Sequence, residues 1–101
     1  MTPTDIIHAI ELKQTHLKFF PAGTIGGPSA LKAISAPYAQ FGLKFCPTGG
    51  INPKNMQDFL KLNNVFAVGG SWLATAEQIN NAQWKTITNT SKEALNTFNP
   101  N

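Results

Sequence analysis

One seven-residue string occurs twice in this chain of 101 residues. LKFFPAG fills positions 17–23 and LKFCPTG fills 43–49, agreeing in the leucine, lysine, first phenylalanine, proline and glycine. Each copy is an apolar run of strand length that stops at proline and glycine and is followed by residues at helical spacing. Self-similar strand–loop–helix units of this kind indicate a parallel β/α architecture, because parallel neighbours need a helical crossover. No segment reads as a two-residue hairpin turn, which argues against an antiparallel sheet.

The rest of the chain fits the same plan. Residues 3–13 carry Ile6, Ile7 and Ile10 on one side of a helix, with Thr2 as N-cap and Pro3 in the first helical position. HLKFFPA (16–22) reads as a strand buried on both faces, the usual state of parallel strands. Gly26, Gly27 and Pro28 open a helix running through Leu31, Ile34 and Tyr38, with Pro37 as its stop. LKFCP (43–47) is a second strand. Asn52 and Pro53 cap a helix over 53–62 that turns Met56, Phe59 and Leu60 inward. VFAVGG (65–70) is a third strand. A last helix is expected within 76–97, with Ile79, Trp84, Ile87 and Leu95 as apolar members, and the final NTFNPN is expected to fray.

Residues 1–101 therefore read as a single α/β domain of about three βα units. Three strands do not close a barrel, which takes eight, and an isolated three-stranded parallel sheet has two open edges and a bare inner face. The expectation is part of a (β/α)8 barrel whose first residues lie in a βα loop, or an obligate assembler.

Composition narrows the partners. Charged residues make up 13% of the chain, against about 25% in ordinary soluble domains, so much of the surface is expected to be covered. Eight lysines, no arginine and five acids give a net charge of +3, but the lysines stand singly, which argues against a nucleic-acid surface. Cys46 is the one cysteine, excluding a disulfide framework, and with His8 and His16 it has no metal-ligand spacing. No metal or cofactor is expected. No run approaches the about 20 apolar residues of a membrane span, and acids interrupt residues 1–15 where a signal peptide is apolar. A cytoplasmic, membrane-free protein is the expectation.

Nucleophiles come next. A lysine in an apolar strand is desolvated, and a neutral amine attacks a ketone or aldehyde to form a Schiff base. Lys18, among Leu17, Phe19 and Phe20 near a strand's C-terminal end, fits that description. Lys44 holds the same place in the second copy, and either lysine equally fits an amine snorkelling from a strand end. Gly49-Gly50 and Gly69-Gly70-Ser71 follow successive strands. Glycine N–H groups before a helix bind anions, and barrels hold phosphate after their last two strands, though glycines also serve plain tight turns. The acids Asp5, Glu11, Asp58, Glu77 and Glu93 all fall in expected helices, so no general base stands beside either lysine. His16 reads as a core or strand-start histidine, His8 as an exposed one, and Cys46 as a small core residue.

HLKFFPA, FCPTGGINP and VGGSWL, in this order and spacing, resemble the C-terminal half of the 2-keto-3-deoxy-6-phosphogluconate (KDPG)/4-hydroxy-2-oxoglutarate (KHG) aldolase family, over about residues 1–95. The resemblance implies a class I, metal-independent aldolase on a (β/α)8 barrel, usually a homotrimer, cleaving the phosphorylated keto acid to pyruvate and glyceraldehyde 3-phosphate. KHG, split to pyruvate and glyoxylate, is the second substrate it implies. It makes Lys18 the Schiff-base lysine. Phe20 then lines the pyruvate pocket, Thr48 approaches the carboxylate, and Gly49, Gly50, Gly69, Gly70 and Ser71 hold the phosphate. The three strands become the sixth to eighth. Two departures stand out. Gly23 occupies a position that is often acidic in the family, and the half supplying the catalytic glutamate and carboxylate-binding arginine has no counterpart here, so the 101 residues alone are expected to be inactive. The GGSW stretch favours this branch over the galactonate-type sister family. The alternative is a non-catalytic phosphate-binding or assembly module.

Overall fold

The computed structural model describes residues 1–98. Helix α1 (Pro3–Glu11) starts where its cap dictates: the Asp5 N–H donates to Thr2 Oγ1 at 3.2 Å, and the Thr2 N–H donates to the Asp5 carboxylate at 2.7 Å. Of the expected inward stripe, Ile6 is fully buried and Ile10 packs against the core, but Ile7 is exposed, since the helix presents only a narrow edge to its neighbours.

Two strands, β1 (His16–Phe19) and β2 (Lys44–Pro47), pair in parallel with His16 beside Lys44, Leu17 beside Phe45, Lys18 beside Cys46 and Phe19 beside Pro47. The third strand expected over 65–70 is not continuous. It joins β2 through two isolated parallel bridges, Phe45 with Val65 and Thr48 with Gly69. Between those bridges the register slips by one residue. Phe66 N–H donates to Phe45 O at 3.1 Å, yet the next ladder bond to Pro47 O comes from Gly69 N–H at 3.0 Å, where an unbroken ladder uses Val68. This is a bulge, which interrupts pairing and bends the strand.

The strands are buried on one face only, correcting the expectation of two. Phe19, Phe45 and Pro47 are fully buried with Ile6, Leu31 and Phe59 against the helices. On the opposite face His16, Lys18, Phe20, Lys44 and Phe66 are exposed, and Cys46 is half-buried. The two-residue period of a strand makes the alternation strict, and no described element covers the second face.

Helix α2 (Gly27–Ser35) gives way to a 3-10 turn over Ala36–Phe41 where Pro37 intervenes. Buried Ser35 donates to Leu31 O at 2.7 Å and accepts from Asn64 Nδ2 at 2.9 Å, tying α2 to the turn before Val65. Helix α3 (Met56–Leu60) begins a turn later than expected, because Asn52 Oδ1 caps the turn itself, accepting from the N–H groups of Lys54 and Asn55. The single helix expected within 76–97 is two: α4 (Ala76–Asn80) and α5 (Trp84–Phe98), broken where Ala82 takes φ 53°. Their Ile79, Trp84 and Leu95 are exposed and Ile87 half-buried. Helix α5 runs through Phe98, so residues 96–98 of the expected frayed end are helical and 99–101 lie outside the described residues. No described helix is long and apolar enough to cross a membrane.

Candidate active site

The C-terminal ends of the strands are stitched together by backbone bonds. Thr48 N–H donates to Phe19 O at 2.9 Å, Ala22 N–H to Thr48 O at 2.8 Å, and Gly23 N–H to Gly49 O at 3.0 Å. The loops after β1, β2 and the third segment therefore converge on one edge. Gly49 and Gly50 adopt φ of 94° and 75°, the left-handed region that disfavours side chains. A Cβ on Gly49 would also stand 3.0 Å from the Phe20 ring and from Pro21 Cα, so Phe20 lies directly over this turn. A Cβ on Gly69 would stand 3.3 Å from Thr48 Oγ1. At Gly70 a Cβ would fall on Cε3 and Cζ3 of the Trp72 ring and lie 3.1 Å from Ile51 O.

Six of the residues singled out in the sequence thus form one connected edge: Phe20, Thr48, Gly49, Gly50, Gly69 and Gly70. Ser71 opens the 3-10 turn Ser71–Leu73 directly after them and is exposed. Among the described residues, the N–H groups of Gly49, Gly50, Gly70 and Ser71 have no protein acceptor. Free backbone donors gathered on adjacent loops are the elements of an anion nest.

Lys18 projects from β1 on the open sheet face, and its Nζ lies 4.9 Å from the centre of the Phe20 ring. It is exposed, which corrects the expectation of a desolvated amine. The flanking apolar residues Leu17 and Phe19 point to the helix side and leave Lys18 on the uncovered side. The register also separates the two repeat lysines. Lys18 pairs with Cys46, immediately below Thr48, whereas Lys44 pairs with His16 one pleat further from the glycine loops. Cys46 is half-buried on the open face rather than in the core, with Sγ 4.0 Å from Thr48 Oγ1. His16 is an exposed strand-start residue: Thr15 Oγ1 lies 3.0 Å from its Nδ1, and its ring meets Phe66 edge-on at 5.1 Å.

All five acids lie in α1, α3, α4 and α5, as the spacing predicts, and among the described residues none forms an ion pair with Lys18. Among the described residues no three His, Cys, Asp or Glu side chains gather as a metal site. A cavity of about 610 Å³ lies at the opposite end of the strands beside Lys32, Lys44, Lys61 and Tyr38. Two of its lysines sit at the C-terminal ends of α2 and α3, where the helix dipole favours a cation. The glycine pairs lie at the convergent loops and not beside this cavity. The Trp72–Gly70 contact was missed in the sequence, where the GGSW spacing brings the two residues close without setting which way the ring turns.

Comparison with known proteins places the chain in a family. The family described as KDPG and KHG aldolase matches residues 1–90. A 2-dehydro-3-deoxy-phosphogluconate aldolase of Pseudoalteromonas atlantica is 42% identical over 91% of this chain and 42% of its own length. The KHG/KDPG aldolase of Escherichia coli K12 is 39% identical over 93% of this chain and 43% of its own. The crystal structure of KDPG aldolase from Legionella pneumophila, holding pyruvate as a covalent carbinolamine, superposes with a TM-score of 0.80 at 46% identity, over 86% of this chain and 41% of that one. The chain spans less than half the length of these relatives, and it belongs to the KDPG and KHG aldolase family.

Proposed function

We propose that the chain is the lysine-bearing and phosphate-binding part of a class I aldolase acting on a phosphorylated 2-keto-3-deoxy acid, KDPG, and on the smaller keto acid KHG. The observation that carries this reading is the position of Lys18, on the same sheet face as Phe20 and one strand-pair from Thr48, at the edge where the free N–H groups of the two glycine loops gather. The covalent pyruvate carbinolamine of the Legionella pneumophila relative supports an amine nucleophile in this family.

In this mechanism the uncharged Lys18 amine adds to the C2 carbonyl to give a carbinolamine, which loses water to form an iminium. A base takes the proton of the C4 hydroxyl, and the C3–C4 bond breaks. Its electron pair flows into the iminium, releasing glyceraldehyde 3-phosphate and leaving the enamine of pyruvate on Lys18. Protonation at C3 and hydrolysis then release pyruvate and free the lysine. Phe20 lines the pyruvate pocket, Thr48 offers its hydroxyl to the carboxylate, and the N–H groups of Gly49, Gly50, Gly70 and Ser71 hold the phosphate, with Gly69 lining the site while its own N–H is committed to Pro47 O. The base and a carboxylate-binding cation come from outside these 101 residues, since none of the described acids forms an ion pair with Lys18 and the chain has no arginine. The strands are the sixth to eighth of a (β/α)8 barrel in a cytoplasmic trimer, whose remaining wall would desolvate Lys18.

Incubation with pyruvate and borohydride tests this: the expected result is a reduced adduct on the peptide carrying Lys18, absent in Lys18→Met. Label on Lys44, or none, overturns the aldolase reading. A second reading, a phosphate-binding module without catalysis, draws on the free N–H groups, which do not depend on Lys18. It predicts phosphate binding with no trapped adduct.

A further inference from the structure

Trp72 has no part in the chemistry above, yet it meets the glycine loop more closely than any other side chain. Its six-membered ring, through Cε3 and Cζ3, occupies the place a Cβ on Gly70 would take, and Ile51 O lies 3.1 Å from the same position. Gly70 is extended, with φ −159° and ψ 144°, a conformation open to any residue. What requires glycine here is therefore the ring and not the backbone angles. The far side of Trp72 faces α5. Two cavities, of about 310 and 140 Å³, both have Trp72, Met56 and Ala94 in their walls, and the larger also borders Leu95 and Phe98. The ring thus stands between a tight contact on the loop and looser packing on the last helix.

We propose that Trp72 is a positioning residue for anion binding: its ring packs on the Cα of Gly70, fixes the direction of the two free N–H groups of Gly70 and Ser71, and links them to α5. The inference rests on the glycine loops being the phosphate site. A five-atom anion such as phosphate needs its donors preorganised, since each loosely held N–H lowers affinity through the entropy of ordering it. Trp72 supplies that order without touching the ligand. Phenylalanine at this position keeps an aromatic ring in the core but lacks the second ring that reaches over Gly70.

The test is titration with inorganic phosphate and with glycerol 3-phosphate, followed by calorimetry and, in a Trp84→Phe background that leaves Trp72 as the sole indole, by fluorescence. The expected results are a saturable change in Trp72 emission, and for Trp72→Phe a Kd weaker by about tenfold with an unchanged far-UV circular dichroism spectrum. Pyruvate trapping at Lys18 should proceed in Trp72→Phe at the wild-type rate, since the keto end of the site does not involve the ring. Gly70→Ala, which pushes the ring away, should weaken phosphate binding to a similar degree. If wild type binds phosphate and Trp72→Phe binds it equally well, the positioning role is wrong and the phosphate assignment stands. If wild type binds neither anion, the loop assignment fails and this inference fails with it.

Discussion

At the level of single residues, neighbouring glycines in this chain differ in what they require. Gly49 combines φ of 94° with the Phe20 ring and Pro21 Cα at 3.0 Å from any added Cβ, so both the backbone and the space demand glycine. Gly49→Ala should destabilise the fold by about 1–3 kcal/mol, the usual penalty of a left-handed non-glycine residue held against a fixed neighbour. Gly23 is the contrast. Its φ lies outside the left-handed range, and an added Cβ would meet Gly49 O at 3.5 Å, an ordinary contact. Gly23→Ala should therefore leave the unfolding free energy from urea titration within about 0.5 kcal/mol of wild type. A large loss at Gly23 and none at Gly49 would refute this account of the turn. Nothing in the local backbone requires glycine at position 23.

Elements were readable where short-range chemistry decides them. The Thr2–Asp5 capping box set the start of α1, and Pro37 ended α2, because each effect acts within one turn. The box also makes a pH prediction. The hydrogen bonds from Thr2 hold the Asp5 carboxyl below its ordinary value of 3.8. A lowered carboxylate contributes stability above its unfolded pKa and loses it as pH falls through the folded value. Wild type should thus lose α1 helicity on acidification below about pH 4, and Asp5→Asn, which has no carboxyl to titrate at the box, should show a smaller acid-dependent loss by circular dichroism. Equal losses in both proteins would mean that the box is not responsible. Elements decided by tertiary context were not readable. The bulge between Val65 and Gly69 comes from pairing with β2, and the one-faced burial of β1 depends on what does not cover it. An apolar run such as HLKFF looks the same whether one of its faces is covered or two. The candidate site was legible in residue identity, through the strings around Lys18, Thr48 and the glycine pairs. Its connectedness was not, since Phe20 over Gly49 and Trp72 over Gly70 are contacts of rings whose direction only the fold sets.

Taken whole, the molecule is more extended than its length requires. Its radius of gyration is 15.0 Å with extents of 44 × 30 × 23 Å, whereas a closed domain of about 100 residues has about 13 Å. Phe20 and Phe66 are 53% and 44% exposed on the open sheet face, and β1 has an unpaired edge among the described residues. Lys18 stands in water on that face, and water weakens every electrostatic contact between this site and a substrate. With no acid paired to Lys18 among the described residues and no arginine in the chain, the 101 residues by themselves should form the pyruvate adduct slowly and turn over KDPG at or near the uncatalysed rate. Mixing with a separately expressed N-terminal half of the Escherichia coli relative should then raise the rate of pyruvate release by at least about 100-fold, the scale of one positioned general base. Lys18→Met should abolish that gain, and a Lys44→Met protein should keep it. Rapid turnover by the 101 residues alone would show that the open face is already a working site, and the argument from desolvation would be wrong.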